Sequence, residues 1–142
     1  MFFQGNVGAS FNLGGTGWFP FQAGGLNGNV NINAIDRWTP ENPRQDVLFP
    51  RLSFGDNTNN YQASTWWQRD GSYIRLKTAE LGYTIPKSLT KKLKINTLRL
   101  YVNGLNLHTW SKFDFWDPEL GSANGAAYPI QKTFNFGLNL NL

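Results

Sequence analysis

The sequence contains no cysteine, a single histidine and few charged residues. Without cysteine, a disulfide framework, a thiolate metal site and a cysteine nucleophile are all excluded. One histidine, His108, is too few for a multi-histidine metal site, and we expect it to be structural. Charged residues make up 15% of the 142, against about 25% in ordinary soluble domains. No run of about 18 apolar residues occurs, so no transmembrane helix is predicted, and residues 1–5 do not resemble a signal peptide.

Aromatic and neutral polar residues take the place of charge. Aromatics reach 15% of the chain, with six Trp and eleven Phe, and there are 15 Gly and 17 Asn. The 13 basic and 9 acidic residues leave a net charge of +4. This composition leaves two broad classes open. One is a soluble β-rich module, and the other is a segment of a transmembrane β-barrel, whose sequence signal per strand is weak.

The last ten residues alternate strictly between apolar and polar side chains. Because successive side chains of a strand point to opposite faces, the alternation predicts one apolar and one polar face. A tilted strand of about 9–11 residues is long enough to cross a bilayer core. We interpret the apolar parity as facing lipid, with a soluble edge strand as the alternative. The lipid-facing candidates are Phe134, Phe136, Leu138, Leu140 and Leu142.

Three further strands are predicted upstream. Residues 72–84 and 97–109 each show an apolar alternation that changes phase once in the middle. A β-bulge adds one residue and would restore a single apolar face, whereas without a bulge neither strand is cleanly amphipathic. Residues 2–11 form a fourth, less regular candidate strand.

The connections between these strands alternate in length. Residues 12–71 and 110–131 form a long and a medium connection, and residues 85–96 form a short one. Transmembrane barrels alternate in the same way, with short periplasmic turns and longer extracellular loops. A short helix is predicted near 30–38, and Pro86 suits the first position of another. The lysines of 85–96 are assigned to a solvated turn and not to a nucleic-acid site.

Four stretches resemble the SusC/RagA family of TonB-dependent outer-membrane transporters, in the order of that family. They are DRWTPENP at 36–43, GSYIRLKTAELGYTIP at 71–86, LRLYVNGLNL at 98–107, and DPE at 117–119 with YP at 128–129 and the terminal strand. The resemblance implies an all-β fold in which about four antiparallel strands form part of a 22-stranded outer-membrane barrel with long extracellular loops. Residues 1–142 would be the C-terminal portion of that barrel.

The resemblance also implies partners and an activity. The family imports oligosaccharides or peptides, works with a SusD-like surface lipoprotein, and is driven by TonB through a plug domain that this sequence does not include. We therefore expect a fragment that does not transport by itself, because four strands cannot close a barrel and open edges cannot face lipid. The family usually ends in an aromatic residue that the barrel-assembly machinery recognises, whereas this chain ends in Leu142. Neither catalysis nor a cofactor or metal is expected.

Candidate binding residues lie in the loops and on the polar strand faces. Tryptophan rings stack on sugars, but they also form interface girdles and pack inside loops. The loop candidates for ligand or partner contacts are Trp38, Trp66, Trp67, Trp110, Trp116 and Asp117. Asp117 lies beside Asp114 and Glu119, a cluster for which a turn is the main interpretation and a metal or catalytic site is an alternative.

The polar parity of the strands predicts residues that line a lumen. The candidates are Arg75, Lys77, Glu80, Asn135 and Asn139. For the charged members, a salt-bridge network within the wall is the alternative. The rival for the whole chain is a soluble β-sandwich module that binds carbohydrate through its aromatics.

Overall fold

The computed structural model describes residues 1–15, 18–20, 30–53, 57–121 and 127–142. The chain divides into two compact units. The first, here called the sheet unit, consists of Met1–Gly8, Ser72–Lys112 and Pro129–Leu142. The second, the loop unit, consists of Ala9–Gly71 and Phe113–Tyr128. No helix among the described residues is long and apolar enough to span a membrane.

The sheet unit is a four-stranded antiparallel sheet, as the alternating patterns predict. Its strands are β1 (Phe2–Asn6), β4 (Tyr73–Thr84), β5 (Thr97–Ser111) and β6 (Thr133–Asn141). They pair in the order β1-β4-β5-β6, so neighbours in the sheet follow one another along the chain apart from the excursion into the loop unit. β1 and β6 are the two edges. The all-β, antiparallel fold class is therefore confirmed.

The fourth predicted strand, 2–11, is divided between the two units. The chain leaves β1 after Asn6, and Gly8 adopts a φ of 76°, a left-handed conformation that favours glycine. The following residues form β2 (Ser10–Asn12), which pairs with β3 (Gln68–Asp70) in a separate two-stranded sheet. Prediction of one continuous strand was wrong, because the turn at Gly8 redirects the chain.

The pairing register shows the irregularities expected from the phase changes. From Leu76 to Thr78 β4 advances two residues, while β1 advances one and β5 advances three, from Leu105 to His108. β4 therefore has one extra residue relative to β1, and β5 has one extra relative to β4. Asn106, in the irregular part of β5, has a φ of 53°. Both predicted strands thus contain a bulge-like shift.

The short connection between β4 and β5 is helical. A single turn of α-helix, α1 (Lys87–Thr90), continues into a 3₁₀ turn (Lys91–Leu93). Lys94 ends it in the left-handed conformation, with φ 57° and ψ 27°. Pro86 occupies the N-cap, one position before the first helical residue.

The loop unit is held together by aromatic side chains and has little regular structure. A 3₁₀ turn, Ile32–Ile35, stands where the short helix was predicted. Asn31 caps it, its Oδ1 accepting from the Asn33 N–H at 3.1 Å. The buried core is Phe11, Leu13, Trp18, Phe19, Ala34, Phe49, Trp67 and Phe113. Ring pairs join the two chain segments: Phe11 and Phe113 meet edge to face with centroids 4.7 Å apart.

Candidate functional site

One face of the sheet is apolar across three strands. Directly opposed residues of antiparallel strands share a face, and Leu98, Leu100 and Val102 of β5 are opposite the apolar parity of β6. On the other side of β5, Leu100 faces Tyr83 and Val102 faces Leu81. We call this surface the apolar face. Leu98 and Val102 are half-buried, and the other side chains are largely exposed, such as Leu100 at 46% and Phe136 at 83%.

On the other side of the register shift, toward Asn6 and Ser111, the rows of this face are also aromatic and apolar. Gly5, Ile74 and Trp110 are opposite one another, and Phe3, Leu76 and His108 form the next row. The rings of Phe3 and Trp110 are 6.4 Å apart, and those of His108 and Trp110 are 4.5 Å apart. Trp110 is 51% exposed. Phe2 and Phe3 are successive residues of β1, so they point to opposite faces, and so do their partners Thr78 and Leu76. Leu81 is three residues after Thr78 along β4 and is therefore on the same face as Leu76.

The apolar surface has the height of a membrane core. Its aromatic ends are marked by the Ile74–Trp110 row and by Tyr83, and Ile74 and Tyr83 are nine residues apart. At about 3.3 Å per residue this is about 30 Å along the strand, or about 23 Å for a strand tilted by about 40°. Outer-membrane barrels present an apolar band about 25 Å tall with aromatic girdles at both ends.

Between the register shift and the β4–β5 connection, the opposite face of the sheet carries polar side chains in rows. Arg99 Nη2 donates to Glu80 Oε1 at 2.7 Å. Glu80 is directly opposite Asn103 in the register, and Asn135 Nδ2 donates to Asn103 Oδ1 at 2.9 Å. Asn139 is opposite Arg99 in the register. Of these residues, the sequence pattern predicted Glu80, Asn135 and Asn139 as lumen-lining. It did not predict Arg99 and Asn103, although both alternate with leucine and valine along β5.

Two glycines make room for large side chains on this polar face. A Cβ on Gly82 would lie 2.6 Å from Arg99 Nη2, so Gly82 leaves the space in which the guanidinium lies. The ring of Tyr101 lies over Gly137 in the same way. Both glycines are directly opposite Tyr101 in the register. A flat polar surface results, with a tyrosine between two glycines.

The remaining lumen candidates on β4 lie near the register shift. Arg75 is only 1% exposed, and its Nε donates to Thr109 Oγ1 at 2.9 Å. Its guanidinium carbon is 5.7 Å from the centre of the Tyr73 ring, within cation–π range. Lys77 falls inside the shift, between Leu76 and Thr78. The structure thus separates a buried Arg75 from the more open Glu80 lower on the strand.

The tryptophans proposed for ligand contacts are mostly engaged with the loop unit itself. Trp67 is 3% exposed, packs on Phe19 and Phe49, and donates from Nε1 to the Asn60 carbonyl at 3.0 Å. Trp66 is 36% exposed and donates to the Leu48 carbonyl at 3.2 Å.

Trp38 and Trp116 are both half-buried. The backbone N–H of Trp38 donates to the Phe49 carbonyl at 3.0 Å, and the indole Nε1 of Trp116 donates to the Gly121 carbonyl at 2.9 Å. The partial burial of both residues and the indole bond of Trp116 support packing roles. Trp18, which the sequence did not single out, is 2% exposed and stacks on Phe49 with centroids 5.5 Å apart.

Asp117 caps a 3₁₀ turn, Pro118–Leu120. Its Oδ1 accepts from the Glu119 N–H at 3.0 Å. Within the described ranges, no group of three His, Asp or Glu side chains is close enough to hold a metal ion. Partial burial lowers the pKa of Arg69, whose Nη1 donates to the Trp66 carbonyl at 2.6 Å.

Comparisons with known proteins agree with this geometry. TonB-dependent receptor P3 of Formosa agariphila is 31% identical over 153 aligned residues, which cover 99% of this chain and 14% of the receptor. TonB-dependent receptor P26 of the same organism is 36% identical over 117 residues, covering 74% of this chain and 12% of the receptor. No protein-family model matches the chain.

Solved structures of the RagAB peptide importer are similar to the whole chain. The open-open state gives a TM-score of 0.72 at 30% identity, covering 99% of this chain and 15% of the solved one. The closed-closed state gives 0.70 at 30% identity, covering 97% of this chain and 15% of the solved one. These relatives, together with the exposed apolar face and the polar reverse face, identify the chain as part of a TonB-dependent receptor. The chain belongs to the SusC/RagA type of that class and spans about a seventh of the length of P3.

Proposed function

We propose that the sheet unit is part of the wall of an outer-membrane barrel that imports oligosaccharides or peptides. The observation that carries the proposal is the exposed apolar face. Monomeric soluble proteins rarely expose contiguous apolar patches larger than a few hundred Å². Ten large apolar side chains of this face are each at least 46% exposed: Phe3, Ile74, Leu81, Tyr83, Leu100, Trp110, Phe134, Phe136, Leu138 and Leu140. In a bilayer, lipid chains would cover them.

The polar face would then line the lumen. Glu80, Arg99, Asn135 and Asn139 supply hydrogen-bonding groups on that side, and Lys77 adds positive charge near the register shift. Arg75 is buried and would act within the wall. The ion pair and the amide pair keep these groups in place, which suits a polar surface along which a hydrated solute passes. The loop-unit tryptophans would pack the extracellular loops, with Trp66 the most exposed of them to a ligand or partner. Trp110 is on the apolar face of the sheet unit, where lipid would cover it.

The transport reaction would need parts outside these strands. Both edges of the sheet, β1 and β6, have no further strand beside them in the described chain. Unpaired backbone groups facing lipid cost several kcal/mol each, so we propose that further strands of a 22-stranded barrel complete the wall. We also propose that residues 1–142 are its C-terminal portion, inactive alone. A SusD-like lipoprotein, TonB and the barrel-assembly machinery would be its partners in the outer membrane.

The rival soluble β-sandwich has less support. A sandwich packs two sheets face to face over a common core. Every described residue of β6 except Gly137 is exposed, so no second sheet covers that strand. The buried core of the described residues lies in the loop unit apart from Tyr73 of β4.

A pair of adjacent cysteine variants tests the proposal. Residues 1–142 contain no cysteine, so Leu138→Cys and Asn139→Cys each introduce a single labelling site in this part of the receptor. The complete receptor, with any cysteine outside these residues replaced by serine, is folded into phospholipid vesicles, and a fluorophore on each introduced cysteine is challenged with brominated lipids. We expect strong quenching at 138 and weak quenching at 139. Equal quenching at the two positions, or none at either, would contradict a lipid-facing parity.

A further inference from the structure

The turn between β4 and β5 combines positive charge with exposed leucines. We call residues 86–96 the lysine turn. It holds Lys87, Lys91, Lys92 and Lys94, four of the seven lysines of the chain, and all four are exposed. Between Glu80 and Asp114 the sequence contains no acidic residue. The positive charge of this turn is therefore not neutralised by its neighbours along the chain.

Three of these lysines surround one open cleft. Lys87, Lys91 and Lys94 line it together with Ser88, Ile95 and Asn96, and its volume is about 470 Å³. The cleft thus offers ammonium groups, a hydroxyl and an amide around one concave space. Phosphate oxygens are strong acceptors, and lysine binds them as a point charge. A cleft of this chemistry suits a phosphate-bearing headgroup.

Two leucines of the turn are exposed although they belong to helical segments. Leu89 is 67% exposed and Leu93 is 70% exposed. They are four residues apart, a spacing that brings side chains together on one side of a helical turn. Apolar side chains beside lysines are typical of segments that lie in a membrane interface, where the apolar part reaches the acyl boundary.

The lysine turn begins where the apolar face ends. Tyr83 is the last residue of β4 on the apolar face, it is 65% exposed, and Pro86 follows three residues later. Tyrosine is enriched at membrane–water interfaces. Three residues of extended chain span about 10 Å, so the turn lies at the depth of headgroups if the apolar face is in lipid.

We propose that the lysine turn docks onto anionic phospholipid headgroups at the membrane surface. This inference rests on the proposed membrane position of the sheet and adds a specific lipid partner to it. The lysines of the cleft bind headgroup phosphates while Leu89 and Leu93 enter the acyl boundary. The contact fixes the depth of β4 and β5, because the turn is held at a short distance from the last apolar row.

Vesicle binding of the complete receptor that carries this chain tests the proposal. The receptor is diluted from denaturant into vesicles of phosphatidylcholine alone or with 30% phosphatidylglycerol, and the bound fraction is measured by flotation at two salt concentrations. The test variant is Lys91→Gln with Lys94→Gln. The control, Arg44→Gln with Arg51→Gln, removes the same charge from exposed side chains of the loop unit.

We expect phosphatidylglycerol to tighten binding of the unmodified chain at low salt. Each lysine near an anionic surface contributes a factor of about five, so the test variant should lose about 25-fold of that gain. The control variant should keep it within about twofold, and both variants should bind neutral vesicles like the unmodified chain. Circular dichroism of the bound chain confirms that the strands form in every variant.

Four outcomes would overturn the inference. Equal losses in the test and control variants would mean that only net charge matters. Binding to neutral vesicles with no gain from phosphatidylglycerol would reject the lysine turn but leave the membrane sheet intact, whereas no binding to any vesicle would contradict both proposals. Binding of a labelled oligonucleotide with the same dependence on Lys91 and Lys94 would identify a nucleic-acid surface instead.

Discussion

Arginine placed along β6 should reveal the depth of each residue in the bilayer. Phe134 is opposite Gly104, which is opposite Ala79, and this row is five residues from Ile74 and four from Tyr83, near the middle of the apolar face. Phe136 is in the row of Leu81, and Leu138 is in the row of Tyr83, at the end of the face. Two residues of a tilted strand change depth by about 5 Å. Leu138 is therefore about 10 Å from Phe134 in depth.

The cost of arginine should follow this gradient. Arginine on the lipid face costs about 2–4 kcal/mol at the midplane and about 0–1 kcal/mol near the interfaces. We expect Phe134→Arg to lie in the first range, Leu138→Arg in the second and Phe136→Arg between them. The neighbouring Asn135→Arg and Asn139→Arg place the same charge on the polar face and should cost little.

The assay is denaturant unfolding of the complete receptor from phospholipid vesicles, read by tryptophan fluorescence and by heat-modifiable mobility on gels. The three lipid-face variants are compared with the two asparagine variants, which differ from them by a single position on the strand. A flat profile along Phe134, Phe136 and Leu138 would refute the depth assignment. Equal destabilisation by Asn135→Arg and Phe134→Arg would refute the assignment of the faces.

Three smaller perturbations test the packing within each unit. Phe49→Ala removes a ring that is 1% exposed and should cost about 3–5 kcal/mol of loop-unit stability, with a red shift of tryptophan emission. Gly137→Ala places a methyl group against the Tyr101 ring and should cost about 1–3 kcal/mol in denaturant unfolding, a loss that a second change, Tyr101→Ser, should largely relieve. The Glu80–Arg99 pair has side chains 49% and 43% exposed, so a double-mutant cycle with Glu80→Gln and Arg99→Gln should give about 0–1 kcal/mol of coupling; a coupling well above that would show that the pair is shielded from water.

The sheet could be predicted from the sequence because its signal is local. In β6 each residue alternates in polarity, and side chains of a strand alternate in direction, so the ten-residue pattern defined both the strand and its faces. The phase changes in β4 and β5 predicted register shifts that the pairing shows. The bounds of β4, β5 and β6 agree within two residues because the alternation ends close to where the pairing ends.

The loop unit could not be predicted in the same way. Its core joins residues far apart in the sequence, such as Phe11 with Phe113 and Trp18 with Trp116. No periodic pattern marks such partners, since each aromatic residue stands among glycine, asparagine and proline. The break at Gly8 was missed for a similar reason, because a glycine in an apolar alternation is compatible with either a strand or a turn.

The candidate site was only partly visible in the sequence. Alternation on β5 contained Arg99 and Asn103, but their partners Glu80 and Asn135 are defined by the register between strands. The roles of Trp66 and Trp67 could not be separated, because adjacent residues differ in burial only once the loop unit has folded. Tertiary packing around Phe49 buries Trp67 and leaves Trp66 partly exposed.

The most direct test of the central claim is to find the polypeptide that carries this sequence in cells. An antibody raised against residues 36–48 is used on fractionated cells, with and without carbonate extraction. We predict a carbonate-resistant band in the outer-membrane fraction, heat-modifiable on gels and of the order of seven times the length of this chain, the length ratio of receptor P3. A soluble species of about 16 kDa, the mass of the chain alone, would contradict the assignment of these strands to the wall of an importer.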